Sequence, residues 1–184
     1  MRQSTVTSYV HRGEIGVIVE VSYESEFVSK SDRFQELIRD IAMQVAASGP
    51  KFIRKEDVSP EVVEHERERF RLEAAASGKP GQVIAKMVEA KIGKYYEEVC
   101  LYEQPFIKDR SISVAHLIAS RVGELGEEIH VRRFARFKAG DREFTIASDS
   151  DSGPEGGEEA GVTANRPSIP RGGIGFVAVK PDTE

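Results

Sequence analysis

The feature that most constrains this chain lies between residues 15 and 48, where the hydrophobic period changes once. Ile15, Val17, Val19 and Val21 alternate with Ile18 and Glu20, which is the period of a strand with one buried face. Phe34, Leu37, Ile38, Ile41, Ala42 and Val45 then recur at helical spacing and form one continuous apolar stripe. A strand and a helix joined by a short segment, each apolar on one side, bury those sides most economically against each other, so the pattern predicts a layered α+β domain. Ser29 or Ser31 can cap the helix, and Asp32 suits its positive N-terminal end. Gly49-Pro50 ends it. Upstream, Thr5–His11 is β-branched, and Arg12-Gly13-Glu14 reads as a turn, so Thr5–His11 and Ile15–Val21 form a predicted hairpin.

Three more helices are expected. Ser59 and Pro60 have the chemistry of an N-cap and first helical position, and Glu61–Ala76 follows as a densely charged, peripheral helix. Its short-range ion pairs are each worth only about 0.3–0.5 kcal/mol. After Ser77-Gly78-Lys79-Pro80, a stripe of Ile84, Met87, Val88, Ile92, Tyr95 and Val99 marks the next helix. Val114, Leu117, Ile118, Val122 and Leu125 mark the last, between Ser113 and Gly126. A closing strand, Ile129–Phe137, places Ile129, Val131, Ala135 and Phe137 on one face and His130, Arg132, Phe134 and Arg136 on the other. Arg133 then falls on the apolar side, which suggests a position near an edge or end. The expectation is a three-stranded antiparallel sheet with helices on one face, spanning residues 1–140. Residues 141–184 turn acidic and rich in Gly, Ser and Pro, so they read as a disordered tail, in which Gly175–Val179 has the pattern of a short strand.

Composition bounds the function. In 184 residues, 31% charged and 39% hydrophobic content is that of a globular domain. The net charge of -5 argues against direct nucleic-acid binding. The single cysteine, Cys100, excludes an internal disulfide and fits a reducing compartment, and its apolar neighbours Val99 and Leu101 suit a buried thiol. No run reaches the roughly 20 apolar residues of a membrane helix, and no signal peptide is read in Met1–Thr5. The expected location is the cytoplasm, or an organelle matrix or stroma. His65-Glu66 lacks the second histidine of a zinc helix, since position 69 is Arg69. His130, Arg132, Arg133 and Arg136 with Phe134 and Phe137 can be read as an RNA-stacking surface or as a strand whose charges block edge pairing. No catalytic triad, paired carboxylates or phosphate loop is legible, so neither enzymatic chemistry nor a cofactor or metal is expected.

The segment between strand and helix, Tyr23-Glu24-Ser25-Glu26-Phe27-Val28-Ser29-Lys30, carries the functional reading. Phe27 stands among acids and serines. By itself it is either a staple packing the helix start or a side chain presented outward. With Tyr9-Val10-His11, the strand Ile15–Val21, Asp40–Ala47, Gly78-Lys79-Pro80, Lys86–Glu89, Glu103-Gln104-Pro105-Phe106-Ile107-Lys108-Asp109 and Val131–Phe137, it resembles the elongation factor Ts family over about Ser8–Gly140. The resemblance is to the short form with one core subdomain, without the family's N-terminal ubiquitin-associated-like helical domain. It implies guanine-nucleotide exchange on elongation factor Tu, promoting GDP release, with Ser25, Glu26, Phe27 and Val28 contacting that partner. In the family this phenylalanine wedges into the GTPase near its magnesium site.

Here the usual Glu-Thr-Asp-Phe-Val reads Glu24-Ser25-Glu26-Phe27-Val28, and Ser22-Tyr23 replaces Asn-Cys. Ala135 stands where the short form has a cysteine, so a disulfide-linked dimer is not implied, whereas a weak non-covalent homodimer is expected. The alternative function is a non-catalytic Tu-binding protein or degenerate paralogue.

Overall fold

The computed structural model describes residues 3–141 and 144–150. Strands β1 (Gln3–His11) and β2 (Ile15–Tyr23) form the expected hairpin, with β1 and β2 paired antiparallel from Gln3↔Tyr23 to His11↔Ile15. Arg12 and Gly13 take φ of 51° and 74°, the two positive values that a tight hairpin turn matching the sheet's right-handed twist requires. A single helical turn, α1 (Glu26–Ser29), precedes the long α2 (Asp32–Ser48). Ser31 caps α2, its Oγ accepting from the Phe34 N–H, and Gly49 closes it at φ 58°. Helices α3 (Pro60–Ala75), α4 (Gly81–Val99) and α5 (Val114–Leu125) follow, then β3 (His130–Lys138) and β4 (Thr145–Ser148).

The sheet has four strands, in the order β1-β2-β3-β4, where the sequence reading expects three. The added strand lies beyond Gly140, pairing Arg133–Arg136 of β3 with Thr145–Ser148. Ala147 is buried under it. Because β4 flanks β3, the closing strand is interior rather than near an edge. Its face assignment is also corrected. Glu20 pairs with Arg133 and Val21 with Val131, so Arg132 is an extra residue, a β-bulge that shifts the alternation. Val131 and Phe134 therefore both enter the core, while Phe137 is half exposed. Arg133, which strict alternation puts on the apolar side, turns outward and pairs with Glu20 at 2.6 Å.

The main core lies between one sheet face and α2 with α5. It joins Val17, Val19, Val21 and Tyr23 of the sheet to Phe34, Leu37, Ile38, Ile41 and Val45 of α2. Tyr23 meets Phe34 edge-on at 5.2 Å. The α3–α4 pair departs from this body as a helical hairpin with its own small core of Ala74, Val88 and Ile92, packed by Phe70, Ile84, Met87 and Tyr96. Ion pairs such as Arg67–Glu64 and Arg71–Glu68 run along α3, as its charge pattern suggests, and Lys91–Glu73 bridges to α4. Residues 151–184, including the Gly175–Val179 segment, lie outside the described residues.

Two polar devices lock the body. Gln44 is fully buried on α2 and binds the Gln104–Ile107 segment, donating to Gln104 Oε1 and the Pro105 carbonyl and accepting from the Ile107 N–H. Asp40 pairs with Lys108 at 2.6 Å nearby. The Gln104–Lys108 motif thus serves α2 as the satisfied partner of its buried polar groups. Arg136 donates to the Ala46 carbonyl at the end of α2, its guanidinium lying alongside Gly49, whose φ of 58° suits a glycine at this helix end.

Candidate functional site

The strand-to-helix junction presents its side chains in two opposite directions. Val28 is buried in the core, whereas Phe27 is 85% exposed, the most exposed large apolar side chain among the described residues. In a single helical turn, neighbouring residues point well apart, so seating Val28 turns Phe27 into water. Leaving a phenylalanine in solvent forgoes about 1.5–3 kcal/mol of burial.

Polar bonds hold the turn on both sides of Phe27. Glu127 takes the N–H of Ser25 at 2.9 Å on one carboxylate oxygen and the Ser25 hydroxyl on the other. Ser25 therefore turns its Oγ away from the helix it precedes, and α1 has no side-chain N-cap. Ser29 donates to the Glu26 carbonyl at 2.8 Å, Ser31 to the Val28 carbonyl at 2.8 Å, and Gln35 to the Ser29 carbonyl at 2.7 Å. Glu26 is exposed and pairs with Lys30 at 2.7 Å, a solvated pair of small energetic weight. The four residues singled out from sequence are thus brought together but differ in kind: Glu26 and Phe27 face outward, Ser25 is half-buried and held, and Val28 is an anchor.

Sequence reasoning misses Glu127. Its position was legible only as the residue after the helix-ending Gly126, which takes φ of 73° and turns the chain back toward the junction. Nothing in a one-dimensional pattern ties it to Ser25, which is 102 residues away.

The other candidates resolve into local roles. His65 lies on the exposed face of α3 beside Glu66. Among the described residues, no group of three or more His, Cys, Asp or Glu side chains is placed to hold a metal. The basic residues of β3 do not converge. Arg133 pairs with Glu20, Arg132 lies 3.8 Å from Asp149, Arg136 caps α2, and His130 contacts Glu128 at 3.1 Å. Cys100 is fully buried. Desolvation, reinforced by the charges of Glu103, Asp57 and Glu56, pushes its thiol up to about 12, so it stays protonated and inert at neutral pH. No helix among the described residues is long and apolar enough to cross a membrane.

A second exposed apolar region covers the outer face of the sheet. Val10, Ile18, Phe137, Phe144 and Ile146 are all at least half exposed. Phe137 and Phe144 stack on each other at 5.1 Å.

Comparison with known proteins gives one consistent answer. The family profile described as Elongation factor TS matches residues 1–141. The chain is 57% identical to the Elongation factor Ts of Koribacter versatilis over 159 residues, which is 86% of this chain and 72% of that protein. It is 48% identical to that of Solibacter usitatus over 155 residues, 84% of this chain and 71% of the relative. It is 41% identical to that of Geotalea uraniireducens over 161 residues, 87% and 74%. Matches of this extent, the family profile spanning β1 to β3, the helices and the junction that presents Phe27, show that the chain belongs to the elongation factor Ts family of translation elongation factors.

Proposed function

We propose that the protein is a guanine-nucleotide exchange factor for elongation factor Tu and promotes GDP release. The observation that carries this reading is Phe27, 85% exposed on a turn tied down on both sides. A rigid apolar point is suited to enter a cleft in a partner, because the turn loses little conformational freedom on docking. No covalent chemistry is required. Exchange couples two binding events, so whatever Phe27 and Glu26 do to nucleotide affinity, nucleotide does equally to the affinity of this protein for its partner. Typical couplings of about 1–3 kcal/mol correspond to roughly 5- to 150-fold. Phe27 supplies the wedge and Glu26 a mobile carboxylate able to compete for polar groups or metal-bound water at the nucleotide site. The test is the rate of GDP release from elongation factor Tu with and without the protein. Acceleration that is lost in Phe27→Ala supports the reading, and tight binding without acceleration overturns it.

That second outcome is the mark of a binding protein that holds elongation factor Tu without releasing its nucleotide. Glu26 is the observation in its favour, since it is one methylene longer than the aspartate of the family's usual loop.

The outer face of the sheet supports a further part of this reading, a weak homodimer. Ile18, Ala135 and Ile146 stand side by side across β2, β3 and β4, next to the stacked Phe137 and Phe144. Two copies of such a face related by a twofold axis bury it reciprocally, without a covalent link.

A further inference from the structure

We infer that Glu127 is the positioning residue of the Phe27 turn: it fixes the pose in which the turn meets its partner. The inference goes beyond the function proposed above and rests on it only where the partner is concerned.

The turn has an apolar anchor and polar tethers. Val28 seats it in the core, but Val28 follows Phe27 and fixes only that side of the turn. The Ser31 and Gln35 bonds also act after Phe27, on the carbonyls of Val28 and Ser29. Between the buried Tyr23 and Phe27, the contact that ties the turn to the rest of the protein is the Glu127 carboxylate, which receives both hydrogens of Ser25, the amide at 2.9 Å and the hydroxyl. A carboxylate that accepts two donors from one residue fixes direction as well as distance, and charge-assisted bonds are about twice as strong as neutral ones.

The support behind Glu127 is itself rigid. Gly126 ends α5 at φ 73°, its N–H bonded to the Val122 carbonyl at 2.8 Å. Ile129, two residues on, is fully buried in the main core. Arg121 of α5 also pairs with Glu36 of α2 at 3.2 Å, which ties the two helices to each other. The carboxylate is therefore presented by a helix end and a buried strand start, whereas the residue it holds belongs to an exposed junction. Without it, the Ser25 amide and hydroxyl lose their acceptor, and the segment from Glu24 to Phe27 is held only at its two ends, by the buried Tyr23 and Val28. The competent pose then becomes one among several, and apparent affinity falls in proportion to its population.

The experiment has two arms, both on the full chain. The first needs no partner: amide hydrogen exchange is compared between the wild type, Glu127→Ala, Glu127→Gln and Ser25→Ala. Glu127→Ala is expected to speed exchange of the Ser25 and Val28 amides, which are bonded to Glu127 and to the Ser25 carbonyl, by about tenfold with the amides of α2 and β2 unchanged, the signature of a local opening. Glu127→Gln, which keeps one acceptor oxygen, falls between. Unchanged exchange at the turn, or faster exchange throughout the sheet, overturns the inference.

The second arm measures GDP release from elongation factor Tu against protein concentration. Glu127→Ala is expected to raise the half-saturating concentration about fivefold and leave the saturating rate within twofold, as loss of a pre-set pose requires. In a Ser25→Ala background, which removes the hydroxyl bond but keeps the amide bond to Glu127, its effect is expected to shrink to the part carried by the amide alone. An undiminished effect in that background overturns the inference. If the wild type itself fails to accelerate release while the first arm gives the expected result, the exchange function falls and the positioning role of Glu127 stands.

Discussion

Among the described residues, phenylalanine side chains are left in water at two places, and by different means. At the junction, one phenylalanine, Phe27, stands on a turn whose neighbours are bonded or buried. On the outer sheet face, Phe137 and Phe144 are half exposed, stacked on each other and flanked by Ile18 and Ile146. The first is a point whose value depends on a fixed backbone. The second is an area whose value depends on how much of it is covered. An exposed point can displace something inside a partner at little cost in area, whereas an exposed face contributes only when a broad surface packs against it. The two regions should therefore respond oppositely to single substitutions: sharply at Phe27, gradually on the sheet.

Phe34 sets the scale for both, since it is fully buried between α2 and Tyr23 a short way along the chain from Phe27. Phe34→Ala is expected to cost about 3–5 kcal/mol of stability through lost burial and the cavity left behind. Thermal melts read the loss directly. Phe27→Ala should leave the melting temperature within a degree or two. If the two variants lose comparable stability, Phe27 is a core residue and the distinction between point and face collapses.

The next effect in size concerns where the domain ends. Removing residues 141–184 takes away β4, uncovers the ladder edge of β3, and deletes Ala147 from the core. It also breaks the bonds that Ser150 donates to Asp57 from its N–H at 3.1 Å and its hydroxyl at 2.8 Å. A loss of about 2–3 kcal/mol is expected from the hydrogen bonds and apolar area together, whereas a cut after Ser150 keeps these contacts and serves as the control. Equal melting temperatures for the two truncations would show that β4 contributes nothing. The comparison bears on the outer face as well, because β4 carries Ile146 and the segment leading into it carries Phe144.

What was legible from sequence follows from how local each signal is. The α2 stripe, the Ser31 and Gly49 caps and the Arg12-Gly13 turn are decided within a few residues, and the structure keeps them. The faces of β3 were misread because one extra residue, Arg132, resets the alternation, and a bulge leaves no mark of its own in a hydrophobic pattern. β4 was missed because Thr145–Ser148 is short, with a single buried apolar residue, and it adjoins an acidic run. At the junction, the residue types named the stretch but not its directions. Phe27 points outward because Val28 is pulled inward, and the choice between them belongs to the tertiary core. Glu127 lay beyond reach for the same reason.

The junction itself gives the third effect. Phe27→Ala is expected to slow stimulated GDP release from elongation factor Tu at least tenfold, about 1.4 kcal/mol. Phe27→Leu, which keeps an apolar point of smaller size, should recover part of the rate. Full activity in Phe27→Ala would mean that the exposed ring is not the element that acts on the partner. A loss of binding and rate in equal measure would place it in attachment rather than in displacement.

The smallest effect is expected on the outer face, and it tests whether that face is covered at all. Phe137→Lys removes one half of the stacked pair and introduces a charge beside Phe144. The folded monomer should lose no more than about 1 kcal/mol, since Phe137 is already half in water and an aromatic pair contributes roughly 0.5–1.5 kcal/mol beyond its area. Self-association responds differently, because in a twofold dimer every substitution occurs twice across the interface, and a lysine would meet the partner copy's apolar face at two symmetric places. Light scattering over a concentration series should therefore show the wild type moving from monomer toward dimer and the variant remaining monomeric. Exchange activity per molecule should rise with concentration for the wild type and stay constant for the variant. If the wild type is monomeric throughout the active range, the outer face is an area that no second copy covers, and the activity resides in the junction of a single chain.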